Sequence, residues 1–201
     1  MGRRSDARNR LLEGADRLFR DQGFAAVGVA QLCAAAGVNK GSFYHFFPSK
    51  QALLLEVVAA AWDETGMFRQ WESQVPQEPT DQIASFLEEL FAVHYAERES
   101  TGRVRGSLVA NIGLELGAAD PAVAQHIRGL LGREEAAFAS VLTAAVEKGE
   151  LELRNPAQAA QTLVACLHGL LMLAKIRNDL SVLPTAEAGL LRLIGMSRPT
   201  H

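Results

Sequence analysis

The fifteen residues from Ala36 to Lys50 read AGVNKGSFYHFFPSK and hold Lys40, Ser42, Tyr44, His45 and Lys50 among the hydrophobes Val38, Phe43 and Phe47. Hydroxyl, imidazole and ammonium groups all donate hydrogen bonds to phosphate oxygens, and a lysine also reaches O6 or N7 of guanine. The chemistry these types can do together is recognition of a polyanion. Each residue taken singly is explained as well by an ordinary solvated helix surface. The group is not, because the N-terminus MGRRSDARNR adds Arg3 and Arg4. Residues 1–50 carry eight Lys/Arg against four Asp/Glu, while residues 51–201 carry twelve against nineteen. A basic module joined to an acidic remainder binds a polyanion at one end only.

Such a row needs helices to hold it, and the apolar pattern is helical throughout. Leu11, Leu12, Ala15, Leu18 and Phe19 form the apolar face of a first helix that stops at Gly23. Val29, Leu32, Cys33 and Ala36 give a short second helix ending at Gly37. Asn39 caps a third helix that ends near Phe47, before Pro48. Four residues separate Phe43 from Phe47, so both face inward and turn Lys40, Ser42 and Tyr44 outward. Ser49 caps a fourth helix that runs to about Gly66, and Pro76 and Pro79 then mark a loop. Further helices are predicted over Asp81–Glu99, Ser107–Leu116, Asp120–Lys148, Asn155–Arg177 and Thr185–Met196, with Asp120-Pro121 and Asn155-Pro156 as cap-and-proline starts. The expected fold is all-α, with one domain over 1–48 and a larger one over 49–201 entered through the helix Ser49–Gly66.

Several other chemistries are excluded by spacing. Glu-x-x-His pairs, His-Glu-x-x-His, a glycine-rich phosphate loop and a nucleophile elbow are all missing, which argues against an enzyme, a metal or a cofactor. Cys33 and Cys166 lie in alanine- and leucine-rich patterns without a CxxC, as small core residues do. No run of eighteen apolar residues or leader-like segment occurs, so a cytoplasmic protein is expected. The competing classes are a helical-bundle enzyme and a protein-binding adaptor, and neither uses the basic face.

Three short helices with a glycine turn between the second and third are the pattern of a helix-turn-helix, whose last helix lies in the major groove. Residues 8–54 resemble the DNA-binding domain of the TetR family of transcriptional regulators, through Gly23-Phe24, Ala36-Gly37-Val38, Lys40-Gly41, Phe43-Tyr44-His45-Phe46-Phe47, Lys50 and Leu53. The resemblance implies a homodimeric regulator of an operator, most often a repressor. It places Tyr44, His45 and Lys50 on phosphates and brings Lys40, Gly41 and Ser42 to the groove, with Arg3, Arg4 and Asn39 completing the set. One departure is Ala26-Val27-Gly28, where the family often opens the second helix with Thr or Ser. Glycine still caps, but a hydroxyl contact is lost.

The larger domain is expected to take a small, mostly apolar effector. Met67, Phe68, Trp71, Phe86, Leu90, Leu114, Phe138 and Met172 are the expected lining, and His94, Asn111 and His168 the polar anchors. Gly106-Ser107-Leu108 resembles a Gly-Cys-Leu stretch in a family branch that senses electrophiles through the thiol. Ser107 excludes that chemistry at this position. The helix Pro156–Arg177 repeats apolar residues at i, i+3, i+4 and i+7, and the last helix adds more. Leu163, Val164, Leu167, Leu170, Leu171 and Ala174, with Leu190, Leu193 and Ile194, are therefore the expected seam of a two-fold four-helix interface.

Overall fold

Helix starts and stops fall where side chains can satisfy the free backbone groups. The computed structural model describes residues 2–62 and 78–194, and every regular element among them is helical. In chain order these are α1 (Gly2–Gln22), α2 (Val29–Ala36), α3 (Lys40–Phe46), α4 (Lys50–Trp62), α5 (Pro79–Thr101), α6 (Leu108–Leu116), α7 (Pro121–Glu147), α8 (Pro156–Arg177) and α9 (Val182–Leu193). They form two compact units.

The first unit contains residues 1–64 together with Leu108–Leu130. Helix α1 packs on α2, α3 and α4, and α6 packs on both α1 and α4. Leu11, Ala15, Phe19, Leu32, Phe43, Phe47, Leu53 and Leu54 form the core between them, all essentially inaccessible to solvent. The apolar stripe of α1 begins at Leu11, but the helix begins at Gly2, its polar lead-in supported by the i, i+4 ion pair of Asp6 and Arg10. Arg10 also turns Nε onto the carbonyl of Ala36 at 2.9 Å, closing the end of α2. Expectation and structure differ over Leu108–Leu130. A sequence boundary drawn at residue 48 leaves this stretch in the larger domain, whereas it packs with the N-terminal helices. Helix α7 gives its first ten residues to this unit and the remainder to the other.

The second unit is built from α5, the rest of α7, α8 and α9. Pro79, expected in a loop, is the first residue of α5, where a missing N–H costs nothing. Ile83, Phe86, Leu87, Phe91 and His94 are its buried face. Asn155 caps α8 through a bond from the Gln158 amide, as the cap-and-proline pattern predicts. At the other end Asn178 is left-handed, and its side-chain oxygen accepts from the Val104 amide at 2.9 Å. Helix α9 starts three residues earlier than expected, because Pro184 in the first turn breaks no helical bond. The expected end at Met196 lies outside the described residues.

One sequence assignment is corrected by this packing. Leu163, Val164, Leu167, Leu171, Ala174, Leu190 and Ile194, expected at a subunit seam, are buried inside the single chain. Leu170 is half-buried, and of the nine only Leu193 is exposed. Periodicity finds the apolar face of a helix but not which of two apolar neighbours covers it. What α8 leaves uncovered is a different strip, Ala165, Met172, Leu173 and Ile176, with Gly169 between them.

Candidate nucleic-acid interface

The turn that aims α3 is fixed by backbone geometry. Gly37 ends α2 in the left-handed region at φ 61°, and Val38 N–H returns to the Cys33 carbonyl at 3.0 Å. That closure is the glycine-terminated cap that a side-chained residue adopts only at a cost. Two residues on, Asn39 opens α3, its Oδ1 accepting from the Ser42 amide at 2.8 Å. Asn39 is therefore a cap first, and any DNA contact it makes must use its amide nitrogen. Gly41 fits beside it, since a Cβ there would lie 3.3 Å from the same oxygen.

Phe43 and Phe47 anchor the inner side of α3, both fully buried, with ring centroids 6.1 Å apart. Tyr44 packs its edge on Phe43 at 5.2 Å yet leaves 55% of its surface exposed. Lys40, Gly41, Tyr44 and His45 are exposed and Ser42 is half-buried. The structure thus brings five of the sequence-selected residues onto one short helix, four of them exposed. Arg3 and Arg4 fall in the first turn of α1.

Lys50 is the exception. Its ammonium donates to the carbonyls of Phe24 and Val27, each at 2.8 Å, and lies 3.9 Å from the centroid of the Phe24 ring. Burial pushes its pKa below the ordinary lysine value, and the Glu115 carboxylate pulls it partly back. Two of its three donors hold the α1–α2 turn, which leaves one for the expected phosphate contact. Its position at the start of α4 was legible, but carbonyls 23 and 26 residues away were not.

In the second unit, Phe86, Leu90 and His94 share one face of α5 at i, i+4 and i+8, and Phe86 meets Phe138 of α7 edge to face at 5.1 Å. His94 is buried, with Nδ1 3.8 Å from Glu97. His168 bonds through Nε2 to Glu134 Oε2 at 3.0 Å, and Glu134 is itself buried. Sequence reasoning missed Glu134, for it sits 34 residues from its partner in a run of ordinary helical charges. Two expected lining residues are corrected: Leu114 is 75% exposed and Met172 is 38% exposed. Asn111, with Leu114, belongs to the first unit and is half-buried. Met67, Phe68 and Trp71 lie outside the described residues. Cys33 is buried as expected, but Cys166 is only half-buried.

A helix-turn-helix held on an α-helical core, with a basic and hydroxylated recognition face, defines a DNA-binding regulator. Comparison with known proteins agrees. Residues 11–57 match the sequence model of bacterial regulatory proteins of the tetR family, and residues 79–190 match the tetracyclin repressor-like C-terminal domain. The chain belongs to the TetR family and is a DNA-binding transcriptional regulator. It is 27% identical to the HTH-type transcriptional repressor NemR of Escherichia coli, over 94% of each chain. It is also 27% identical to the HTH-type regulator EthR of Mycolicibacterium smegmatis, over 89% of this chain and 81% of that one. Among solved structures, a TetR regulator from Chloroflexus aurantiacus has the same fold, with a TM-score of 0.80 at 24% identity over 97% of each chain.

Proposed function

We propose that the protein is a cytoplasmic homodimeric repressor that binds a near-palindromic operator through α3 and leaves it when a small, mostly apolar molecule enters the second unit. The observation that carries this reading is the outward row Lys40, Gly41, Ser42, Tyr44 and His45, backed by the buried Phe43 and Phe47. In it Lys40 and Ser42 approach base edges from the first turn, while Tyr44, His45, Arg3 and Arg4 hold phosphates.

Dimerisation is supported by the uncovered strip of α8. Only 33% of the most apolar 18-residue stretch of this helix is buried within one chain. By length and composition alone such a helix could also cross a membrane. Its buried opposite face and the His168–Glu134 pair favour a partner helix instead. Ile176 at 72% exposure and Leu193 at 57% extend the strip, and a second copy covers it on a two-fold axis. For the effector, Phe86, Leu90 and Phe138 supply apolar surface, and His94 and His168, with Glu134 behind the latter, supply orientation.

The test is selection of duplex fragments by the purified full-length protein, followed by fluorescence anisotropy at several salt concentrations. The expected result is a near-palindrome whose half-sites are about 34–36 Å apart, with affinity falling steeply as salt rises. A protein that enriches no sequence and binds no duplex even at low salt is not this regulator.

A further inference from the structure

Glu115, the penultimate residue of α6, is placed where no family of charges in the sequence points to it. Its carboxylate accepts from two consecutive amides of the α1–α2 turn, Phe24 at 2.8 Å to Oε2 and Ala25 at 2.7 Å to Oε1. The turn is shaped to receive it. Gly23 is left-handed at φ 80°, and a Cβ there would stand 3.0 Å from Oε2. From the other side Lys50 grips the carbonyls of the same turn, and the Glu115 carboxylate favours its charged form. One turn is therefore held between an acid from α6 and a base from α4, with both backbone polarities satisfied. A second tie runs parallel: Gln51 of α4 donates to Asp120 Oδ2 at 2.5 Å, while Asp120 Oδ1 caps the start of α7.

We infer that Glu115 is the positioning residue that makes α6 and the helix-turn-helix move as one body, so that a change at α3 is felt in α6 and the reverse. The inference rests on the proposed operator binding. Its physical content is reciprocity: two segments joined by a coupling respond to each other's ligands equally. The Glu115 clamp is that coupling here, because the turn it holds starts α2, the helix against which α3 is set.

Glu115 is exposed, so Glu115→Ala is expected to keep the helical fold, to be checked first by circular dichroism. The experiment is amide hydrogen exchange of the full-length protein, with and without the duplex that it selects. In the free wild type, Phe24 and Ala25 exchange about tenfold more slowly than in Glu115→Ala, as the loss of charged hydrogen bonds implies. On adding the duplex, the wild type slows exchange both at 39–47 and at 108–116. The variant slows it at 39–47 as the wild type does, and at 108–116 by no more than a small remainder carried by the parallel Gln51–Asp120 tie. A duplex response at 108–116 that survives undiminished in Glu115→Ala, or that the wild type lacks, overturns the inference while leaving operator binding standing. Absence of any duplex binding by the wild type overturns the proposed function instead.

Discussion

The two units differ in what their polar groups are for. In the first, apart from Arg20 buried beside Asp16, the polar side chains named above cap backbone ends or face outward: Asn39 closes α3, Arg10 closes α2, Lys50 and Glu115 hold a turn, and Lys40, Tyr44 and His45 are left to solvent. In the second, polar groups are turned inward, His94 beside Glu97 and His168 against Glu134. An outward donor row suits a large, charged, extended partner, which supplies its own counter-charges. Inward pairs suit a small partner, because a buried polar group is costly unless it is bonded. On the proposed function, the two kinds of recognition are separated by the direction in which these polar groups face.

Loss of an inward pair should have the largest effect. His168→Ala leaves Glu134 buried without a partner, and we expect a loss of ~3 kcal/mol in urea-induced unfolding. Replacing both by leucine should restore most of it. A loss under about 1 kcal/mol would mean that water already reaches Glu134, and the second unit would not be inward-facing in the sense used here.

Ile176→Glu comes next, placing a charge on the exposed strip of α8. It should weaken self-association by about thirtyfold or more in sedimentation at micromolar concentration, since truncating or charging an interface centre typically costs ~2 kcal/mol or more. The fold should be intact, because Ile176 is not core. Unchanged association would move the subunit contact elsewhere.

On the outward face, Lys40→Ala should cost ~1–3 kcal/mol on the preferred operator and relax base preference at one position per half-site. A loss equal over all sequences would assign Lys40 to phosphate. Lys50→Ala is the contrasting case. It should lower unfolding stability by ~1 kcal/mol and leave the salt slope nearly unchanged. A slope reduced by about two, the value for one phosphate contact from each of two subunits, would show that the ammonium also reaches a phosphate.

The smallest effect is expected from thiol reagents. N-ethylmaleimide should label half-buried Cys166 ahead of buried Cys33 and change operator affinity by less than about threefold, since neither thiol is paired with an activating base. Release that disappears in a Cys33→Ser, Cys166→Ser double variant would restore thiol sensing, at a site other than Ser107.

Local signals carried the first unit. The cap at Asn39, the glycine end at Gly37, the four-residue spacing of Phe43 and Phe47 and the proline at 48 act within one or two turns, so the bearing of α3 and its outward row could be read directly. The same held for the starts of α7 and α8, where Asp120-Pro121 and Asn155-Pro156 act on adjacent amides. Lys50, Glu115, Glu134 and the uncovered strip of α8 were decided only by tertiary structure. Each depends on a partner far along the chain: carbonyls 23 and 26 residues away, amides 90 and 91 residues away, and a histidine 34 residues away. Leu163 and Ile176 are equally apolar on the same helix, yet one is core and the other is exposed. Periodicity is a property of one helix, whereas burial is a property of what packs against it.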